Sequence, residues 1–233
     1  MRAHARYERS SASRCALDSF TTTLFVLTAC IGAFAQESQP SDALPIDAGA
    51  ESALGASAAE LVGHAFKTRR TDHFVVAYDA SDLSARDLCQ RLEATFDNVL
   101  RFCRFNSIPA EPLAHRMDVY FFAKYSEFDA YARSLGSSAG AWSGFYYSGN
   151  NRAAFYDSLD DPALRPLLEQ IEGRRKALEP LAGDGQRRPG NSGALTRLRQ
   201  ELARLERQRD EHVERRNRLI VQHEAAHQIL YNL

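Results

Sequence analysis

Cysteine is scarce in this chain: there are four, at positions 15, 30, 89 and 103 of 233 residues. So low a count excludes a disulfide-stapled scaffold. Cys89 and Cys103 fall on one predicted helix, roughly 21 Å apart at the helical rise, too far to bridge. They are expected as core thiols. An excess of either charge is also missing. Lys and Arg number 29 against 30 Asp and Glu, a formal net charge of −1. This removes the electrostatic case for nucleic acid or an anionic membrane surface as partner. The apolar run near the N-terminus is too short to span a bilayer, so no transmembrane anchor is expected. Residues 36–63 contain no aromatic side chain, and no Gly or Pro occurs between Ala194 and Leu233. The first absence points to a segment that cannot bury enough apolar surface to order itself; the second leaves an unbroken helix.

What remains, 44% hydrophobic and 25% charged, describes a soluble globular protein with one main domain and some appended material. Residues 1–35 read as an export signal. Arg2, Arg6, Arg9 and Arg14 form a basic start, the apolar core runs from Leu24 to Gly32, and Ala33-Phe-Ala35 offers a cleavage site. A second reading stays open, because Leu27-Thr-Ala-Cys30 resembles a bacterial lipobox that would leave Cys30 as a lipid anchor. Both export the protein, to the periplasm or the exterior in the first case and as an envelope lipoprotein in the second. Residues 36–63 follow as a flexible linker, with order beginning near His64.

From His64 to about residue 161 the pattern is that of an α+β domain with a small mixed sheet. Residues 73–78 form a β-branched and aromatic strand. Ser84 or Asp82 caps a helix running to about Asn106, whose apolar face is Leu88, Leu92, Phe96, Val99 and Cys103. A second strand covers 116–123, and a shorter helix, 127–135, is capped by Ser126, with Phe128 and Tyr131 packed on the sheet. Trp142 to Tyr147 and Arg152 to Tyr156 flank Ser148-Gly-Asn-Asn151, a hairpin signal. The hairpin is either plain packing over the helices or an edge strand beside the last helix, to which an extended peptide could add. Residues 162–218 carry leucines at helical spacing (Leu164, Leu168, Ile171, Leu178, then Leu195, Leu198, Leu202, Leu205), separated by a loop from Pro180 to Gly193. They read as an inserted antiparallel, coiled-coil-like helical hairpin. Arg209, His212 and Arg216 loosen its seam before residues 219–233, and the heptad phase makes its second helix continuous with those residues.

The chemistry concentrates there, in His223-Glu-Ala-Ala-His227. Residues four apart share a helical face, so both imidazoles can converge on one metal ion. Zinc accepts imidazole nitrogen, and a catalytic site needs three protein ligands and an open position. Glu224 sits where its carboxylate can take a proton from water. Apart from His227, nothing in 219–222 or 225–233 is charged, as a buried site helix requires.

With the hairpin, the motif and Gln228, Tyr231 and Asn232, residues 64–161 and 217–233 resemble the peptidase-MA-like metallopeptidases of bacteria, gluzincin-type zincins. The resemblance implies a zinc-dependent endopeptidase acting on peptide or protein substrates, with His223 and His227 as Zn2+ ligands, Glu224 as general base, and a zincin-like fold. In that family the third ligand is a Glu on a helix after the motif. Six residues follow His227 here, and none is acidic. The expectation is therefore a domain incomplete at its C-terminus, binding zinc weakly and inactive as this chain; nothing in the sequence argues that the upstream acids Asp157, Asp160 and Asp161 reach the site. The alternative is a non-catalytic binding or scaffold module on a degenerate peptidase fold, its helical arm used for partner contacts.

Overall fold

The computed structural model describes residue 44 and residues 47–136, 144–183 and 191–233. The signal segment with Cys15 and Cys30, most of 36–46, the glycine-rich connector with Trp142, and 184–190 lie outside them. Among the described residues twelve elements follow one another: α1 (Ala48–Val62), β1 (Lys67–Arg70), β2 (Phe74–Tyr78), α2 (Asp82–Phe105), β3 (Met117–Phe122), α3 (Tyr125–Ser134), β4 (Gly144–Tyr147), β5 (Arg152–Tyr156), two 3-10 turns (Ser158–Asp160 and Pro162–Leu164), α4 (Arg165–Gly183) and α5 (Asn191–Asn232).

The five strands form one mixed sheet in the order β1-β2-β3-β5-β4, so the class is α+β. β2, β3 and β5 run parallel, while β1 and β4 pair antiparallel at the two edges. Every residue of β2 is buried, the mark of a strand covered on both faces. Alternation along the strands assigns the faces. Val75, Ala77, Tyr120, Phe122, Phe145, Ala154 and Tyr156 meet Leu54 and Ala58 of α1 and Phe128 and Tyr131 of α3 in one aromatic-rich core. α2 and α5 pack together on the other side.

α2 forms as its periodicity requires. Leu88, Leu92, Phe96, Val99 and Cys103 are all buried, and the cap is Ser81, whose hydroxyl accepts from Ser84 N at 3.0 Å, in place of the expected Ser84 or Asp82. Cys89 and Cys103 are free and buried. α3 has no side-chain cap at Lys124. Asp160 Oδ2, arriving from the turn after β5, instead accepts from Tyr125 N at 2.8 Å.

Three expectations are corrected. The linker expected to run to Gly63 is a helix over Ala48–Val62, capped by Asp47 accepting from Ala50 N. Its stability comes from docking, because an Ala/Ser-rich segment has little apolar contrast of its own: Leu54 and Ala58 are buried against the sheet. Leu54→Ala should accordingly cost about 2–3 kcal/mol in a denaturant titration, whereas a linker position would cost nothing. β1 is the second correction. Its four residues, Lys67-Thr-Arg-Arg70, are mostly exposed and escape an apolar pattern, yet they pair with β2 as an edge strand whose charges resist further pairing. Third, α4 continues through Pro180 to Gly183, where a loop was expected, and Gly193 lies inside α5.

α5 spans 42 residues, about 63 Å, and joins the segments 191–218 and 219–233 into one element. Its first half lies against α4, with Ile171 and Leu205 buried and Arg174–Glu201 and Arg175–Glu206 ion pairs alongside. Asp161 then takes His212 at 3.1 Å and Arg216 at 2.7 Å, so the polar stretch of the seam is anchored to the turn after β5. Beyond that, α5 packs on α2, β4 and β5. No helix among the described residues is long and apolar enough to cross a membrane.

Candidate metal-binding and general-base site

The last three turns of α5 run under the free edge of the sheet. Val221, Ala225, Ala226 and Ile229 are buried and seat the helix. Its close approach depends on Gly144 in β4. A Cβ there would stand 2.6 Å from the Phe155 ring and 2.9 Å from Ile220 Cγ2. Gly144→Ala should therefore lower stability by about 1–3 kcal/mol and move α5 away from β4, readable as a lower melting temperature.

On this platform the two motif histidines meet. Their Nε2 atoms are 3.2 Å apart and the ring planes nearly perpendicular, at 84°. Two nitrogens at normal zinc–imidazole distance in a tetrahedral shell stand about 3.3 Å from each other. The observed gap thus fits a shared ion with almost no movement. Burial lowers the His223 pKa, and burial together with the neighbouring His223 lowers that of His227. Both shifts favour the neutral imidazole, the form that offers a lone pair to a metal.

Glu224 turns inward. It is 7% exposed, its Oε2 accepts from the backbone N–H of Tyr146 in β4 at 2.9 Å, and its Oε1 lies 3.9 Å from His223 Nε2. Burial lifts its pKa to about 7, against the opposing pull of the Tyr146 N–H. A carboxyl with that pKa can both take and return a proton near neutral pH. The three residues singled out by the motif are thus brought together on α5, with Glu224 bonded to the edge strand β4.

A third protein ligand is not brought to them. Among the described residues, no other His, Cys, Asp or Glu places a ligand atom within 4.8 Å of both histidines. The upstream acids are engaged elsewhere. Asp157 accepts from Ser84 Oγ and Leu159 N, Asp160 caps α3, and Asp161 holds Ala163 N with His212 and Arg216. A cavity of about 520 Å3 lies one turn before the motif, between α2, the ends of β3 and β5 and α5, and none of the three motif residues lines it.

Sequence reasoning missed what holds the helix in register. Gln228 is completely buried. Its Nε2 donates to Asp118 O at 2.9 Å and to Asn151 O at 3.0 Å, tying α5 to β3 and to the β4–β5 turn. Asn232 and Asn151 exchange two side-chain hydrogen bonds at 2.7 and 2.9 Å, and Tyr146 Oη donates to Asn151 Oδ1. Asn151 supplies the turn at φ +52°. The one local signal was an amide at position 228 inside an otherwise apolar run. No family model, curated protein sequence or solved structure matches this chain.

Proposed function

We propose that His223, Glu224 and His227 form the catalytic turn of an exported zinc-dependent peptidase of zincin type, completed by a third protein ligand from outside the described residues. The observation that carries this reading is the 3.2 Å convergence of the two Nε2 atoms beside a buried carboxylate held by the edge strand. His223 and His227 would hold the ion, which when bound supplies Lewis-acid polarisation of a peptide carbonyl and of water. Glu224, fixed by Tyr146 N–H, accepts the proton of the attacking water and delivers it to the leaving amine. Among the described residues β4 has no neighbour strand on its outer side and so offers an extended peptide a strand to pair with. The packing of α4 along α5 supports a coiled-coil-like arm carried outside the catalytic region. Export rests on the signal pattern in residues 1–35.

The test has two arms. In the His64→Ala chain, zinc bound at the motif should be released on replacing His223 and His227 with Ala. Hydrolysis of a quenched-fluorescent peptide library should vanish in Glu224→Gln and on chelation. Zinc uptake indifferent to both histidines sinks the proposal. A second reading, a non-catalytic binding module, is favoured by one observation, the missing third ligand among the described residues. That reading requires zinc uptake at His223 and His227 to be absent in the His64→Ala chain.

A further inference from the structure

We propose that His64, Asp79 and Glu127 form a second divalent-cation site, structural in role, that clips α1 to the sheet and to α3. The three come from separate elements. His64 follows the left-handed Gly63 cap of α1, Asp79 follows β2, and Glu127 lies in the first turn of α3. One ligand atom from each lies within 4.8 Å of the others. Donors about a common tetrahedral ion stand about 3.3 Å apart; His64 Nε2 and Asp79 Oδ2 are already at 2.8 Å, and a side-chain movement of up to about 1.5 Å brings the Glu127 carboxylate into the same shell.

Each side chain is already aimed. Asp79 Oδ1 accepts from Ala123 N at 2.6 Å, which turns Oδ2 toward His64 Nε2 at 2.8 Å. The His64 ring is steadied by stacking on Phe66, with centroids 5.8 Å apart. Glu127 Oε2 is buried with no hydrogen-bond donor, while the Asp79 carboxylate lies within hydrogen-bonding reach of Glu127 and pushes its pKa upward, after burial. Two carboxylates so placed need a shared proton or a cation between them. The positive group nearby, Lys124 Nζ, stands 3.7 Å from Glu127 Oε1 and is 65% exposed, so water screens it.

The chemistry names the ion class. Two carboxylates and a neutral imidazole carry a charge of −2, which a divalent cation neutralises. An imidazole among the donors favours zinc or another first-row transition ion over magnesium or calcium. The pattern differs from the motif on α5, where both donors share one helix face.

The experiment uses the full chain with both motif histidines replaced, His223→Ala/His227→Ala, and zinc chloride as the probe. Calorimetric titration should show one equivalent of zinc bound, with a raised melting temperature. Adding His64→Ala or Glu127→Gln should weaken binding by about 100-fold or more and remove the thermal shift. His64 is 44% exposed at its side chain and Glu127→Gln preserves shape, so both variants should fold, as circular dichroism would verify. No zinc bound to the motif-free protein overturns the site. So does binding unchanged by either substitution, or binding of magnesium and calcium as tightly as zinc.

Discussion

In metal-free protein at pH 8, Glu224→Gln should raise the free energy of unfolding by about 3 kcal/mol, and in zinc-loaded protein the same substitution should remove any hydrolytic activity. The magnitude follows from a pKa raised from 4.5 to about 7 by burial, at about 1.4 kcal/mol per unit. The sign follows from linkage. A carboxyl whose pKa rises on folding is at no disadvantage while protonated, so its stability is intact below pH 4.5. It is lost as the pH climbs through 7, because ionising the buried group costs more than ionising it in the unfolded chain. Gln imitates the protonated form and still offers an oxygen to Tyr146 N–H. The difference between wild type and variant should therefore vanish near pH 4.5 and reach its plateau above pH 7. Denaturant titrations in chelator across that range measure it. An unchanged or lowered stability at pH 8 would mean that the carboxylate is better solvated than its 7% exposure implies. A residue maintained at such a cost is what a general-base role predicts, since function tolerates local strain that folding alone would remove.

Gln228→Ala should lose about 3 kcal/mol of stability, within a range of about 2–4. The substitution empties a fully buried site and leaves two backbone carbonyls, Asp118 O and Asn151 O, without their donor. Gln228→Leu separates the two contributions. It fills most of the volume but supplies no donor, so a loss of about 1–3 kcal/mol should persist. Because Gln228 adjoins His227 and ties α5 to the β4–β5 turn, the variant should also weaken zinc binding at the motif more than its melting curve alone explains. A Gln228→Ala protein as stable as wild type would show that the apolar residues Val221, Ala225 and Ile229 suffice to seat the helix.

The parts of this fold that were readable in the sequence are those driven by local periodicity. The face of α2, the runs that become β2 and β3, and the turn at Asn151 all follow from spacing and backbone preference within a few residues. So does the meeting of His223 and His227, since i and i+4 neighbour each other on any helix. What was not readable depends on partners distant in the chain. α1 has weak apolar contrast and is held by the core it covers. β1 is polar because it is an edge. Pro180 lies within α4 although its local signal is that of a break. The anchors of the site helix are Tyr146, 78 residues before Glu224, and Asp118, 110 before Gln228. The His64, Asp79 and Glu127 cluster is spread over three elements, and no spacing rule links a post-helix turn, a strand end and a helix start. The chemistry of the motif is local, and its environment is tertiary.

The claim on which the account rests is that His223 and His227 bind one ion together through Nε2. It is tested most directly by following the imidazole nitrogens by NMR during a zinc titration of the His64→Ala protein, which isolates the motif from the proposed second site. The account predicts that the Nε2 resonances of His223 and His227 move together, saturate at one equivalent, and do so equally in Glu224→Gln. Movement of only one of them, or none while zinc binds elsewhere, would contradict it.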